Sequence, residues 1–163
     1  MGNLTNNFSE HEFRCPCCSE IGLDRRLLPA LQKFRDLLGR PVIITSGCRC
    51  LTHNASLGSH RASTHVFERG PIFVVGTKAA DVKVSGLNLS EMLHAAEQIP
   101  EFAEGGIGIY PNEGFLHLDV RRGKARWGRV RGEYVAWLAA RIAMHEAEGA
   151  PTPRAPRHPL PPR

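Results

Sequence analysis

Asp81 and His117 are the residues of this sequence whose types and placement most directly suggest chemistry. In segment 79–84, Ala80, Val82 and Val84 alternate with Asp81 and Lys83. In segment 115–121, Leu116, Leu118 and Val120 alternate with Phe115, His117, Asp119 and Arg121. Side chains along a strand point to its two faces in turn, so each segment has an apolar face and a chemically active one. Two such strands side by side would gather a carboxylate, an imidazole and a second carboxylate. Neutral imidazole and ionised carboxylate suit Zn²⁺, and a catalytic zinc takes three protein ligands and keeps one position for water. His65, in the preceding loop, is the natural third ligand, with His60 as its competitor. His11, His53, His94, His145 and His158 read as solvated or packed side chains.

The elements that must position these residues form a mixed set. Leu27, Leu31, Phe34, Leu37 and Leu38 share one face of a helix over 27–38, with Pro29 in its first turn and Gly39 as its stop. Residues 42–45, Val-Ile-Ile-Thr, predict a short buried strand. A second helix starts at Asn88, where Glu91 completes a capping box and Leu87 and Met92 are spaced as a hydrophobic staple; Pro100 ends it. Strands over 106–110 and 115–121 are joined by Pro-Asn-Glu-Gly, a hairpin composition. A last helix is expected over 133–147, with Val135, Leu138 and Ile142 inward. Helices and strands without βαβ alternation give an α+β domain with a small antiparallel sheet and flanking helices.

The length of 163 residues fits one domain, which we place at residues 1–148. Residues 149–163 hold six prolines and three arginines, and read as a disordered basic tail that contributes to the net charge of +5. A mildly basic body suits an anionic polymer, but no repeat of aromatic and basic residues marks a nucleic-acid module. No apolar run is long enough to span a membrane. The first residues lack the basic start and apolar stretch of a signal peptide, so the expectation is a chain that stays cytoplasmic until released, or is delivered to a cell wall by a phage. The five cysteines, three in CPCC (15–18) and two in CRC (48–50), are odd in number and clustered. Structural thiols or a local disulfide are the leading reading and a metal cluster the alternative; Cys15 and Cys18 alone have knuckle spacing.

Four separated pieces, ITSGCRCLTHN, STH, GTKAAD and GGIGIYPNEGFLHLDVRRGKARWG, resemble in this order the M15 family of zinc peptidases, the D-Ala-D-Ala carboxypeptidase group. The likeness runs over residues 8–127. It implies a hedgehog/DD-peptidase-like fold, with His65, Asp81 and His117 as first, second and third zinc ligands. It also implies that Arg49 binds substrate and steadies the developing oxyanion, a sound task for a fixed guanidinium. The activity implied is hydrolysis of amide bonds in peptidoglycan stem peptides, as a carboxypeptidase, a murein endopeptidase or a phage endolysin.

This sequence departs from the family pattern at two places. His and Asp stand sixteen positions apart instead of seven, because of an insertion that lies within residues 66–75. We expect these to form a hairpin that leaves its flanks in place. Where many relatives carry an acid three residues before the last histidine, this chain has Gly114. Asp119 is then the favoured general base and Glu113 the alternative. The same departures motivate a second reading, a zinc-binding module of weak or no activity, such as a phage particle component.

Overall fold

The computed structural model describes residues 2–69 and 74–149. The chain opens with one helical turn, α1 (Glu10–Phe13), followed by α2 (Leu27–Leu38), which has the expected bounds. Leu27, Ala30, Leu31 and Phe34 of α2 are buried, the stripe that its period dictates, whereas Leu37, expected on the same face, is 50% exposed in the last turn. β1 (Val42–Ser46) comes next. It lies at the sheet edge, so the expected burial holds for Val42 on one face, while Ile43 is 48% exposed on the other.

After α3 (Leu51–Ser56), the two-residue strands β2 (Glu68–Arg69) and β3 (Val74–Val75) pair antiparallel. The extra segment therefore folds back on itself beside the domain. Gly70, Pro71, Ile72 and Phe73, where the turn of the hairpin is expected, lie outside the described residues. β4 (Ala79–Val84) leads to α4 (Leu89–Glu97), whose capping box forms between Asn88 and Glu91. Pro100 then occupies the first position of the short α5 (Pro100–Ala103).

β5 (Gly106–Tyr110) and β6 (Phe115–Asp119) make the expected hairpin, and β7 (Ala125–Val130) follows. The fold is α+β, with one correction to the sheet. Its six strands run in the order β1-β4-β6-β5-β7-β8, and β5 pairs with β7 in parallel, so the sheet is mixed and not antiparallel throughout. Residues 120–124 carry the chain across the end of β5. β7 must then run against β6, and hence along β5.

The last helix also starts later than expected. Glu133–Val135 forms β8, turned back from β7 through Arg131 and Gly132, both at positive φ (52° and 88°). Such a turn matches the twist of a two-stranded ribbon. Helix α6 (Trp137–Gly149) buries Ala140 and Met144, whereas Leu138 and Ile142 are exposed, contrary to the expected inward set. The reason is close packing: Ala140 sits directly on Gly128 of β7, where a larger side chain has no room. Residues 150–163, most of the expected tail, lie outside the described residues.

One face of the sheet, with Ala80, Val82, Leu116, Leu118, Ile107 and Ile109, packs on Leu31, Phe34, Met92, Phe102 and Met144 in a single core. Alternation then turns Asp81, His117 and Asp119 to the opposite face. No helix of the described residues is long and apolar enough to cross a membrane.

Candidate metal centre

Register sets the site. Ser46 pairs with Asp81, Asp81 with His117, His117 with Gly108, and Gly108 with Trp127, so one row crosses five strands on the open face. His65 reaches the row from a loop tied down on both sides. The Arg49 N–H donates to the His65 carbonyl at 2.9 Å, and the Thr77 hydroxyl donates to the same oxygen at 2.8 Å. His65 Nε2 lies 3.1 Å from Asp81 Oδ1 and 3.1 Å from His117 Nδ1, and the last two atoms are 3.0 Å apart. The extra residues 66–75 have not separated His65 from Asp81. His60 is elsewhere: its Nδ1 accepts from the Ala62 N–H at 3.1 Å, and it is not part of the cluster.

The surroundings assign the tautomers. His65 Nδ1 stands 2.8 Å from the Gly47 carbonyl, which can only accept, so the proton is on Nδ1 and the Nε2 lone pair faces the cluster. His117 Nε2 stands 3.0 Å from Asp119 Oδ2, which places its proton there and leaves the Nδ1 lone pair facing the cluster. Two imidazole lone pairs and a carboxylate oxygen thus converge in a buried space with no donor among them. A cation satisfies all three at once, and each histidine carries the outer hydrogen bond that metal-binding imidazoles use to fix their orientation.

The charges within the cluster follow from burial and from these contacts. Burial raises Asp81, but the two imidazoles outweigh it and hold its carboxyl well below the usual range. Burial lowers His65 against the pull of Asp81. Burial also opposes charge on His117, yet its hydrogen bonds to Asp119 and Asp81 prevail and raise it. Asp119 is fully buried, and its oxygens accept from the Gly106 N–H (3.2 Å), the Arg121 N–H (2.9 Å) and the Arg121 guanidinium (2.6–2.8 Å) as well as from His117. Burial raises its carboxyl, but His117 and Arg121 outweigh burial and hold it far down.

A carboxylate so placed and so occupied is ill suited to take a proton from the cleft, which tells against the expected base role of Asp119. Its position suits a different task, holding His117. Asp119→Asn is expected to weaken metal affinity by about 10–100-fold while the fold persists, read by competition with a fluorescent zinc chelator. Unchanged affinity would remove that task.

β5 supplies two residues that sequence reasoning missed. A Cβ on Gly106 would strike the Asp119 carboxylate, and one on Gly108 would come within 2.7 Å of the Trp127 ring. Glycines at alternate positions of a strand otherwise rich in isoleucine were the available signal, since they mark close approach. Gly106→Ala should cost about 1–3 kcal/mol, as overpacking does, and should displace Asp119. Urea unfolding checks the first effect and zinc titration the second.

The cluster floors a cleft of about 480 Å³. Arg49, Arg121 and Arg129 line it together with Thr64, Tyr110, Trp127 and Tyr134. Arg49 is anchored by Ser46 Oγ (2.9–3.0 Å) and by Asp81 Oδ2 (3.0 Å), through Nε and one terminal nitrogen. Its other terminal nitrogen has no hydrogen-bond partner among the described residues. Asn54 holds the carbonyls of Ser59 and His60 in the loop beside it. Trp127 lines the cleft, whereas its neighbour Arg126 donates to the carbonyls of Phe102, Ala103 and Gly105. Glu113 is exposed in the β5–β6 turn and does not line the cleft. Among the described lining residues Asp81 is the only carboxylate.

Residues 6–119, the span that holds the metal cluster, Arg49 and Asp119, match the family model described as Peptidase M15. The chain belongs to the M15 peptidase family. It is 31% identical over 113 residues to the peptidoglycan L,D-endopeptidase MepK of Escherichia coli K12, and equally to those of E. coli O157:H7 and Shigella flexneri. The aligned region is 68% of this chain and 58% of each relative, so this M15 member spans under two thirds of their length. No solved structure matches the chain significantly.

Proposed function

We propose that this M15 member is a zinc-dependent peptidase that hydrolyses an amide bond in peptidoglycan stem peptides. The observation that carries the reading is the convergence of the His65, Asp81 and His117 lone pairs at the floor of an open cleft in a chain of this family. The donor set fits zinc: two neutral imidazoles and one carboxylate, with both histidine tautomers fixed from behind. When bound, the metal would supply a water of lowered pKa and polarise the scissile carbonyl.

The remaining work falls to the chain. Asp119 keeps the His117 ring oriented and balances charge that develops on it. Arg49, which lines the cleft and is held by Ser46 and Asp81, would stabilise negative charge on a substrate oxygen through its remaining terminal nitrogen. Arg121 and Arg129 make the cleft cationic, which suits stem peptides with their free carboxylates. Trp127 and Tyr134 give flat apolar surface for the peptide chain. We favour an L,D bond within the peptide, the bond class in the name of the MepK relatives, over terminal carboxypeptidase action. The chain would meet this substrate after release from the cytoplasm or on delivery by a phage.

The absence of a second carboxylate among the described cleft residues favours one other reading, a zinc-holding module of weak or no activity. Murein sacculi incubated with the purified protein separate the two. New amino groups that appear with time, and stop with a chelator, support the peptidase. Zinc retained with no release supports the module.

A further inference from the structure

Away from the cleft, three of the five cysteines collect at one point, and a fourth touches one of them. Cys15, Cys18 and Cys50 have sulfur atoms within 4.8 Å of one another, and Cys17 Sγ lies 3.7 Å from Cys50 Sγ. No disulfide joins them. Sulfurs about 2.3 Å from one zinc in a tetrahedron stand about 3.8 Å apart, so the crowding of Cys15, Cys18 and Cys50 is close to what a shared ion would require.

The backbone around the sulfurs has the form that thiolate ligation needs. Residues 15–18 close a tight turn in which the Ser19 N–H donates to the Cys15 carbonyl at 2.8 Å and the Cys15 N–H to the Glu20 carbonyl at 2.9 Å. Ser19 takes φ 59°, a left-handed conformation uncommon for a residue with a side chain. That turn directs the Cys18 side chain back toward Cys15. The Cys50 N–H points at Cys15 Sγ (3.4 Å), and the His53 N–H points at Cys50 Sγ (3.4 Å) from the first turn of α3. N–H donors aimed at sulfur stabilise thiolate over thiol.

We propose that Cys15, Cys18 and Cys50, completed by the exposed Cys17, form a second, structural zinc site distinct from the histidine cluster. Burial pushes the Cys15 thiol up, but the N–H groups of Cys50, Cys17 and Cys18 prevail and bring it down to about 7. The ion would pin the 15–18 turn to the start of α3, one residue beyond Arg49. It would therefore fix the backbone from which Arg49 reaches the cleft. Cys48 takes no part, because its sulfur contacts the Gly22 backbone at 3.5 Å.

The proposal does not depend on peptidase activity, and its test keeps the two sites apart. Protein purified under reducing conditions is measured for zinc per chain, and after replacement by Co²⁺ for thiolate-to-cobalt charge-transfer absorption. Wild type should hold two zinc ions and show the band. His117→Ala should keep one ion and the full band. Cys18→Ser, at an exposed position that the core does not need, should keep one ion and lose most of the band. A His117→Ala protein with no zinc and no cobalt–thiolate band would overturn the site, as would a Cys17–Cys50 disulfide found by mass spectrometry in the freshly purified chain.

Discussion

His117→Ala is expected to empty the histidine cluster of metal and to lower the hydrolysis rate by on the order of 10³-fold or more, because the several kcal/mol that a metal supplies to the transition state are lost together. The side chain is buried between Asp81 and Asp119, each 3.0 Å from one of its ring nitrogens. Its removal takes away one of three donors and leaves the Asp119 carboxylate with Arg121 alone among its charged partners. His94→Ala is the control, since His94 is exposed on α4 and outside the cluster. Elemental analysis of the two variants, with circular dichroism to show that both remain folded, checks the assignment. Equal zinc in the two would refute it.

Arg49→Ala is expected to keep the metal and lose turnover by about 10²–10³, the usual cost of deleting one oxyanion donor. A guanidinium donates only, so it cannot be a ligand. Its bond to Asp81 Oδ2 uses the oxygen that faces away from the histidines, and the three donor atoms stay where they are. Arg49→Lys should recover only part of the rate, because a point charge cannot hold Ser46, Asp81 and a substrate oxygen together as a planar fork does. Steady-state kinetics on a defined stem peptide would separate a fall in kcat from a rise in KM. Full activity in Arg49→Ala would remove the role.

Much of this centre is legible in the chain itself because it is built on strands. Alternation is local, so the faces of segments 79–84 and 115–121 follow from the residues alone, and Asp81 and His117 with them. The helix over 27–38 and the capping box at Asn88 rest on equally local signals. Hairpin composition between β5 and β6 fixes that pairing for the same reason.

What depends on distant partners could only be decided in three dimensions. Asp119 shares a face with His117, which made it resemble a base; its burial under Arg121 and against Gly106 gives it the look of a support instead. The start of α6 and its choice of Ala140 over Leu138 come from the space left above Gly128. The parallel placement of β7 beside β5 comes from a five-residue crossing with no motif of its own. Cys50 meets Cys15 and Cys18 only because α1, the 15–18 turn and the start of α3 pack together. His65 shows the division most clearly: the sequence names it as a ligand candidate sixteen positions from Asp81, while its 3.1 Å approach depends on hydrogen bonds to Arg49, Thr77 and Gly47, which come from two other parts of the chain. Periodicity determines which way a side chain faces; packing between segments far apart in sequence determines what it meets there.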